Sequence, residues 1–189
     1  LLPSSVVILT SGVDVQDDRL EVEIVGWGRD EESWSVGYWV LWGDPAGPAV
    51  WQDLENLLYR AFPHARQVSD HYVRAAAIDT GGHRSMESYT FCRTRQERRI
   101  WAIKGLGGMG KPIWPRRSSR NNKGRVPHFM VGVDAAKESI YSRLRLTEPG
   151  PGYCHFPLDR DAEWFRQLTA ENARDAIVAT GRGGTIRVD

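Results

Sequence analysis

Three successive runs of alternating apolar and polar residues constrain this chain more than any other feature. Val13 and Val15, then Leu20, Val22 and Ile24, then Trp34, Val36, Tyr38, Val40 and Trp42 each follow a period of two, which marks strands with one buried face. Asp17-Asp18 and Gly28-Arg29-Asp30-Glu31 supply the turn chemistry between them, so Ser11 to Trp42 reads as an antiparallel meander. The period changes after the break at Asp44 to Pro48. Trp51, Leu54, Leu57, Leu58 and Phe62 recur at helical intervals and predict an amphipathic helix over 50–62. Val73 to Ile78 is a short apolar run that ends in Asp79-Thr80-Gly81-Gly82, ahead of a helical pattern over 84–98. A strand feeding a glycine turn and a helix is a parallel α/β element.

Two more short strands are expected, at Ile100 to Ile103 and at Phe129 to Val133, and two more helices, over 135–146 and 161–170. Ala136, Ile140 and Leu144 share one face of the first of these helices. Between the two strands, 105–127 is rich in Gly, Pro, Ser, Asn and Arg and reads as a long flexible excursion. A loop of that length inside a compact domain is usually functional. The Gly181 to Gly184 tail reads as a frayed end or a linker. The fold class expected from this order is α/β, with an RNase H-like mixed sheet of three antiparallel strands and then parallel strands, flanked by helices. At 189 residues the expectation is one domain, 1–189. The start at Leu1 suggests a segment excised from a longer polypeptide.

The longest apolar stretch, Val36 to Trp42, falls far short of the roughly 18 residues a membrane-spanning helix needs, and no membrane partner is expected. Cys92 and Cys154 lie 62 positions apart with no second thiol or paired histidine beside either, so neither a zinc spacing nor a disulfide framework can be read, and a reducing cytoplasm is the default. Net charge is only +1, but it is unevenly spread. From Arg98 to Val133 there are nine Lys or Arg and no Asp or Glu, whereas the other 153 residues hold 16 basic and 24 acidic side chains. That is the electrostatic outline of a polyanion-binding segment on an acidic body. Lys111, Arg116, Arg117, Arg120, Lys123 and Arg125 are the expected phosphate contacts on such a polyanion. Trp114 either packs on sugar or base or anchors the loop.

Three hydrophobic strands each contain or end in one aspartate: Asp14 within Gly12 to Gln16, Asp79 after Ala75 to Ile78, and Asp134 after Phe129 to Val133. A carboxylate in mid-strand is costly unless solvated, paired or bound to a cation, and the carboxyl edge of an open α/β sheet is where such folds place their sites. Three convergent carboxylates suit magnesium or manganese. Two such ions, about 3.5–4 Å apart, can activate a water and stabilise the leaving oxygen in phosphodiester hydrolysis. In that arrangement Asp14 bridges the ions, and Asp79 and Asp134 each complete one site. Alternatives stand beside this: Asp134 as a helix N-cap, Asp79 as a turn residue before Gly81-Gly82, and Asp17 and Asp18 as hairpin-turn residues. Lys104, Lys137 and His83 are possible auxiliaries, the lysines for phosphate charge and the histidine for orienting a water.

Two short motifs compete and fail. Gly105 to Lys111 fits the P-loop pattern until Pro112, which supplies neither the hydroxyl nor the backbone N–H that Ser or Thr gives. Asp79-Thr80-Gly81 spells the triplet of aspartic proteases, but only one copy exists, and the helical pattern after Gly82 does not suit a protease of that type.

Taken together, the segments Leu9 to Gln16 with the strand from Leu20 to Gly28, Ala77 to Gly82, Ile103-Lys104-Gly105, Val131 to Asp134 with Lys137, and Phe156-Pro157 with Trp164 to Glu171 resemble the nuclease domain of the lambda-type phage terminase large subunits, the DNA-packaging motor proteins. The resemblance implies an RNase H-like fold and metal-dependent cutting of concatemeric viral DNA. It also implies an ATPase domain earlier in the same polypeptide, a small terminase subunit and a portal as partners, and the cytoplasm of the infected host as location. Asp14 and Asp79 match the strand-borne acids of that family, with Asp134 at the third position. A resolvase- or transposase-type enzyme of the same fold, and a non-catalytic DNA-binding module of the motor, are the alternative functions.

Overall fold

In the computed structural model, which describes residues 1–120 and 126–170, the chain divides into two compact units, Leu1–His155 and Phe156–Asp189. The first unit is α/β. Its strands are β1 (Ile8–Val15), β2 (Arg19–Trp27), β3 (Ser33–Trp42), β4 (Val73–Asp79), β5 (Ile100–Leu106), β6 (Ser119–Arg120), β7 (Pro127–Gly132) and β8 (Cys154–His155); its helices are α1 (Ala49–Leu58), α2 (Ser85–Arg93) and α3 (Val133–Leu144). They form one eight-stranded sheet in the order β6-β7-β5-β4-β1-β2-β3-β8. The β1–β2–β3 meander is antiparallel, and β4, β5 and β7 run parallel to β1 and to one another. The mixed sheet expected from the sequence is therefore present.

Alternation in each strand settles which side chains face the core. Leu9 and Val13 of β1, Leu20, Val22 and Ile24 of β2, Ala76 and Ile78 of β4, and Ile100 and Ala102 of β5 are buried. They form one cluster with Val50, Trp51, Leu54, Leu57 and Leu58 of α1 and Tyr89, Phe91 and Cys92 of α2. A slip of one residue in any strand would turn this set outward, so burial fixes the register. Burial also pushes the Cys92 thiol up to about 12, which leaves it an inert packing group. Arg95 braces the two helices through a bidentate pair with Glu55, Nε to Oε1 at 3.1 Å and Nη2 to Oε2 at 2.9 Å.

The boundaries differ from the sequence pattern where tertiary contacts intervene. α1 stops at Leu58 rather than Phe62, because Phe62 exchanges backbone hydrogen bonds with His71 at 2.8 and 2.9 Å and Pro63 follows it. The helical pattern after Gly82 breaks at Arg93. A 3-10 turn over Gln96–Arg98 and Arg99 in the left-handed region (φ 57) then redirect the chain into β5. β5 runs three residues past Ile103, because Lys104, Gly105 and Leu106 pair with Met130, Val131 and Gly132 of β7. α3 begins at Val133 instead of Ala135. Two short edge strands carry no local signal: β6 lies antiparallel to β7, and β8 parallel to β3.

In the second unit, a helix over 162–170 is capped by Asp161, whose carboxylate accepts from the Trp164 N–H at 2.8 Å. Phe156, Trp164 and Phe165 pack their rings together at centroid distances of 5.1–5.4 Å. The Gly181 to Gly184 tail lies outside the described residues. Among the described residues no helix is long and apolar enough to cross a membrane.

Candidate functional site

The same alternation that buries Leu9, Val13 and Ile78 puts Asp14 and Asp79 on the other face of the sheet. The parallel register of β1 and β4 runs through Gly12↔Ala77 and Val13↔Ile78, so the next residues on the two strands, Asp14 and Asp79, stand side by side at the carboxyl edge. Neighbouring strands are about 4.8 Å apart, a spacing at which two carboxylates reach one cation. Gly12, Ala75 and Ala77 occupy the positions behind them on that face, and a Cβ on Gly12 would meet nothing within 4 Å. The surface beside the acids is consequently open at Gly12.

Each acid has one oxygen fixed by a protein donor. The Gln16 side-chain amide donates to Asp14 Oδ2. The Gly81 N–H donates to Asp79 Oδ1 at 3.0 Å, closing an Asx turn. The Thr80 hydroxyl donates to the Ile103 carbonyl at 2.8 Å and meets Tyr89 Oη at 3.2 Å, which ties the end of β4 to β5 and α2. Thr80 in the Asp79-Thr80-Gly81 triplet is thus a buried brace. Asp134 lies in the first turn of α3, with Gly132 as the N-cap residue, and its Oδ2 accepts from the Gly108 N–H at 2.8 Å. It is therefore a loop anchor rather than a cap. Among the described residues the second oxygen of each aspartate has no partner.

The three acids are unevenly spaced. Asp14 and Asp79 sit on adjacent strands, whereas Asp134 follows β7, which is separated from β4 by β5, two strand spacings or about 10 Å away. Among the described residues no three His, Cys, Asp or Glu side chains are gathered into a ready ligand set. The donor chemistry, all hard oxygen with one lone oxygen per carboxylate, fits magnesium or manganese, with Asp14 and Asp79 as the nearest pair.

Glu21, which the strand-end pattern did not single out, stands directly across from Asp14 in the β1–β2 register. Like charges opposite one another in a sheet repel, and here Glu21 is held by two donors of its own: Arg19 Nε at 2.8 Å and Tyr38 Oη at 2.7 Å. Burial first, and the bond to Glu21 second, raise the Tyr38 phenol above its ordinary range, so it stays a donor. Arg19 is also paired with Asp18 at 2.8 Å. The signal that would have found Glu21 was present: with Leu20, Val22 and Ile24 buried, period two places Glu21 on the face of Asp14.

The auxiliaries separate. His83 lies at the β4–α2 turn with Nδ1 3.8 Å from Asp17 Oδ1, both side chains exposed. Asp17 and Asp18 do form the hairpin turn, closed by Gln16 N–H to the Arg19 carbonyl at 3.0 Å. Lys104 pairs in register with Met130 and shares the parity of the buried Ala102, hence the face opposite Asp79. Lys137 is half-buried on α3.

The basic excursion leaves the sheet at Leu106 and returns through β6. Lys111, Arg116, Arg117 and Arg120 are exposed along it; Lys123 and Arg125 lie outside the described residues. Trp114 stacks on Phe129 with ring centroids 4.6 Å apart and lies 5.5 Å from Trp101, yet stays 42% exposed, so it anchors the arm and still presents a ring to solvent. The Gly105 to Lys111 run opens no helix; it continues β5 and then turns.

The structure thus presents an α/β sheet with a pair of carboxylates at its carboxyl edge and a basic arm that leaves from the end of β5. Residues 1–182 match the family of the terminase large subunit gpA endonuclease domain, and the chain belongs to that family. It is 33% identical to the terminase large subunit of Escherichia phage lambda over 90% of this chain and 27% of that protein. It is 29% identical to the terminase large subunit of Enterobacteria phage P21 over 99% of this chain and 29% of that protein. The chain thus spans less than a third of the length of these relatives. No solved structure matches it.

Proposed function

We propose that this chain is a metal-dependent endodeoxyribonuclease of RNase H-like fold that cuts concatemeric viral DNA during genome packaging. The observation that carries this reading is the register of β1 and β4, which stands Asp14 beside Asp79 at the sheet edge. Asp14 and Asp79 would hold Mg²⁺ or Mn²⁺, with Asp134 as the ligand that would complete a second ion's site. Divalent ions there supply an activated water and charge neutralisation at the leaving 3′ oxygen. Gln16 and the Gly81 N–H hold Asp14 and Asp79 in place by one oxygen each, so that the other oxygen is aimed without searching. Lys111, Arg116, Arg117 and Arg120, together with Lys123 and Arg125, bind phosphates of double-stranded DNA, and Trp114 offers a ring to sugar or base. His83 and Lys137 are auxiliary, whereas Lys104, on the face of the sheet opposite Asp79, stands away from the acid pair. The partners are the ATPase domain of the same polypeptide, the small terminase subunit and the portal, in the cytoplasm of the infected host.

The separation of Asp134 from the other two acids favours one competing reading, a non-catalytic DNA-binding module of the motor. Incubation of supercoiled plasmid with the chain in Mn²⁺, Mg²⁺ or EDTA decides between them. Nicking that requires the divalent ion supports the nuclease; duplex binding with no nicking in any ion supports the module.

A further inference from the structure

The glycine run that mimics a P-loop has a use, and it is the reverse of cradling phosphate. We infer that Gly108 is a positioning residue for Asp134, and that the run around it joins the root of the basic arm to the acidic edge; this rests on the nuclease reading above. Gly108 has φ +110, a conformation L side chains rarely adopt, with open space around it. Glycine is required there by the backbone rather than by crowding. That backbone turn points the Gly108 N–H at Asp134 Oδ2, 2.8 Å away.

Close approaches hold the loop on either side of this bond. A Cβ on Gly105 would lie 2.8 Å from Val133 Cγ2, so the end of β5 presses on the first residue of α3. Gly110 turns the chain back at φ +75, and the carbonyl oxygens of Lys111 and Pro112 come to 2.6 Å from where a Cβ on Gly132 would stand. The Gly132 N–H donates to the Pro112 carbonyl at 3.0 Å. The loop is thereby fastened to the β7–α3 junction at three places, and the first arm cation, Lys111, leaves from the last of them. An exposed aspartate on a helix surface would otherwise sample its rotamers freely. With Oδ2 taken by Gly108, Oδ1 is the oxygen left for a cation, and its direction is set by the loop that carries the arm.

The test compares Gly108→Ala with Gly107→Ala, since Gly107 has no left-handed φ and no atom within 4 Å of its would-be Cβ. Duplex affinity is read by fluorescence anisotropy in EDTA, Mn²⁺ binding without DNA by electron paramagnetic resonance, and nicking as a function of Mn²⁺. Gly107→Ala is expected to match wild type throughout. Gly108→Ala is expected to bind duplex within about twofold of wild type while needing roughly tenfold more Mn²⁺ for half-maximal nicking, as when an outer partner of a metal ligand is lost. Wild-type Mn²⁺ dependence in a folded Gly108→Ala chain, or equal losses in DNA affinity and nicking, would overturn the inference. Hydrogen exchange gives a second readout that needs neither folding of that variant nor nuclease activity. The Gly108 amide is expected to be protected in wild type and to lose protection in Asp134→Ala; unchanged protection overturns the positioning contact. Loss of nicking in wild type with that protection difference intact would reject the nuclease reading and leave the contact standing.

Discussion

The β4–α2 and β7–α3 junctions are written alike, an apolar strand followed by aspartate and a helix, yet they sit differently in the molecule. At the first, Asp79 closes an Asx turn beside Asp14, Thr80 is locked to β5, and α2 buries Ser88, Tyr89, Phe91 and Cys92. At the second, Asp134 is exposed on α3, which buries none of its residues, and one oxygen of its carboxylate accepts from Gly108 at the root of the arm. A strand-end aspartate is therefore a candidate by its position in the sequence, and what it can do depends on the strand beside it. The first junction fixes its carboxylate through its own turn, the second through a contact from a loop 26 positions away.

The largest expected effect breaks the comparison outright if it fails. Asp14→Asn and Asp79→Asn remove charge but little volume, and each is expected to lower nicking by on the order of a thousandfold, since metal-assisted charge stabilisation is worth several kcal/mol. Thermal melting should show both variants folded. Retained nicking in either folded variant removes that residue from the mechanism. Asp134→Asn should cost less, about tenfold to a hundredfold, because its carbonyl still accepts from Gly108 while the charge is gone. A loss as large as that of Asp79→Asn would make the two junctions equivalent after all.

The arm attached to the second junction gives a smaller effect of a different kind. Changing Arg116, Arg117 and Arg120 together to Ala should weaken duplex binding and lower the slope of log K against log salt by up to roughly 3 units, at about 0.9 per phosphate contact, with hardly any change in melting temperature. An unaltered affinity and slope would locate the duplex elsewhere on the surface.

The smallest effect concerns the bracing of α2. The hydrogen bonds from Arg95 hold the Glu55 carboxyl below its ordinary value. A depressed carboxylate contributes stability that is present above its unfolded pKa, near 4.5, and is lost as pH falls through the lower folded value. With both side chains about one-fifth exposed, screening limits this to about 1 kcal/mol or less. Glu55→Gln should lower stability by that amount near neutral pH and flatten the loss below about pH 4.5, as read by urea denaturation at several pH values. An acid profile identical to wild type would assign the bracing of the first junction to apolar packing alone.

Much of this was legible in the chain before any coordinates. Period two in Val13 to Trp42 settles that these residues are strands and which side chains turn inward, because successive Cβ atoms alternate across a strand whatever it pairs with. The same alternation places Asp14 and Glu21 on the polar face, and the nine-to-zero charge run is a property of composition. Helix ends were less legible: Phe62 keeps the helical spacing of α1 but is drawn into a bridge with His71.

Only the tertiary structure decided which strands are neighbours. Asp14 and Asp79 meet because β1 accepts β4 as its parallel partner, and Asp134 stays apart because β5 comes between β4 and β7. Ladder hydrogen bonds are made by backbone groups that every residue except proline carries in full, so the choice of partner strand leaves no local mark. The same is true of Gly108, whose N–H finds Asp134 26 positions away, and of the short strands β6 and β8, which exist only because an edge was there to receive them. Side-chain periodicity is local chemistry and is written in the sequence; the meeting of distant backbones is the outcome of packing the whole sheet.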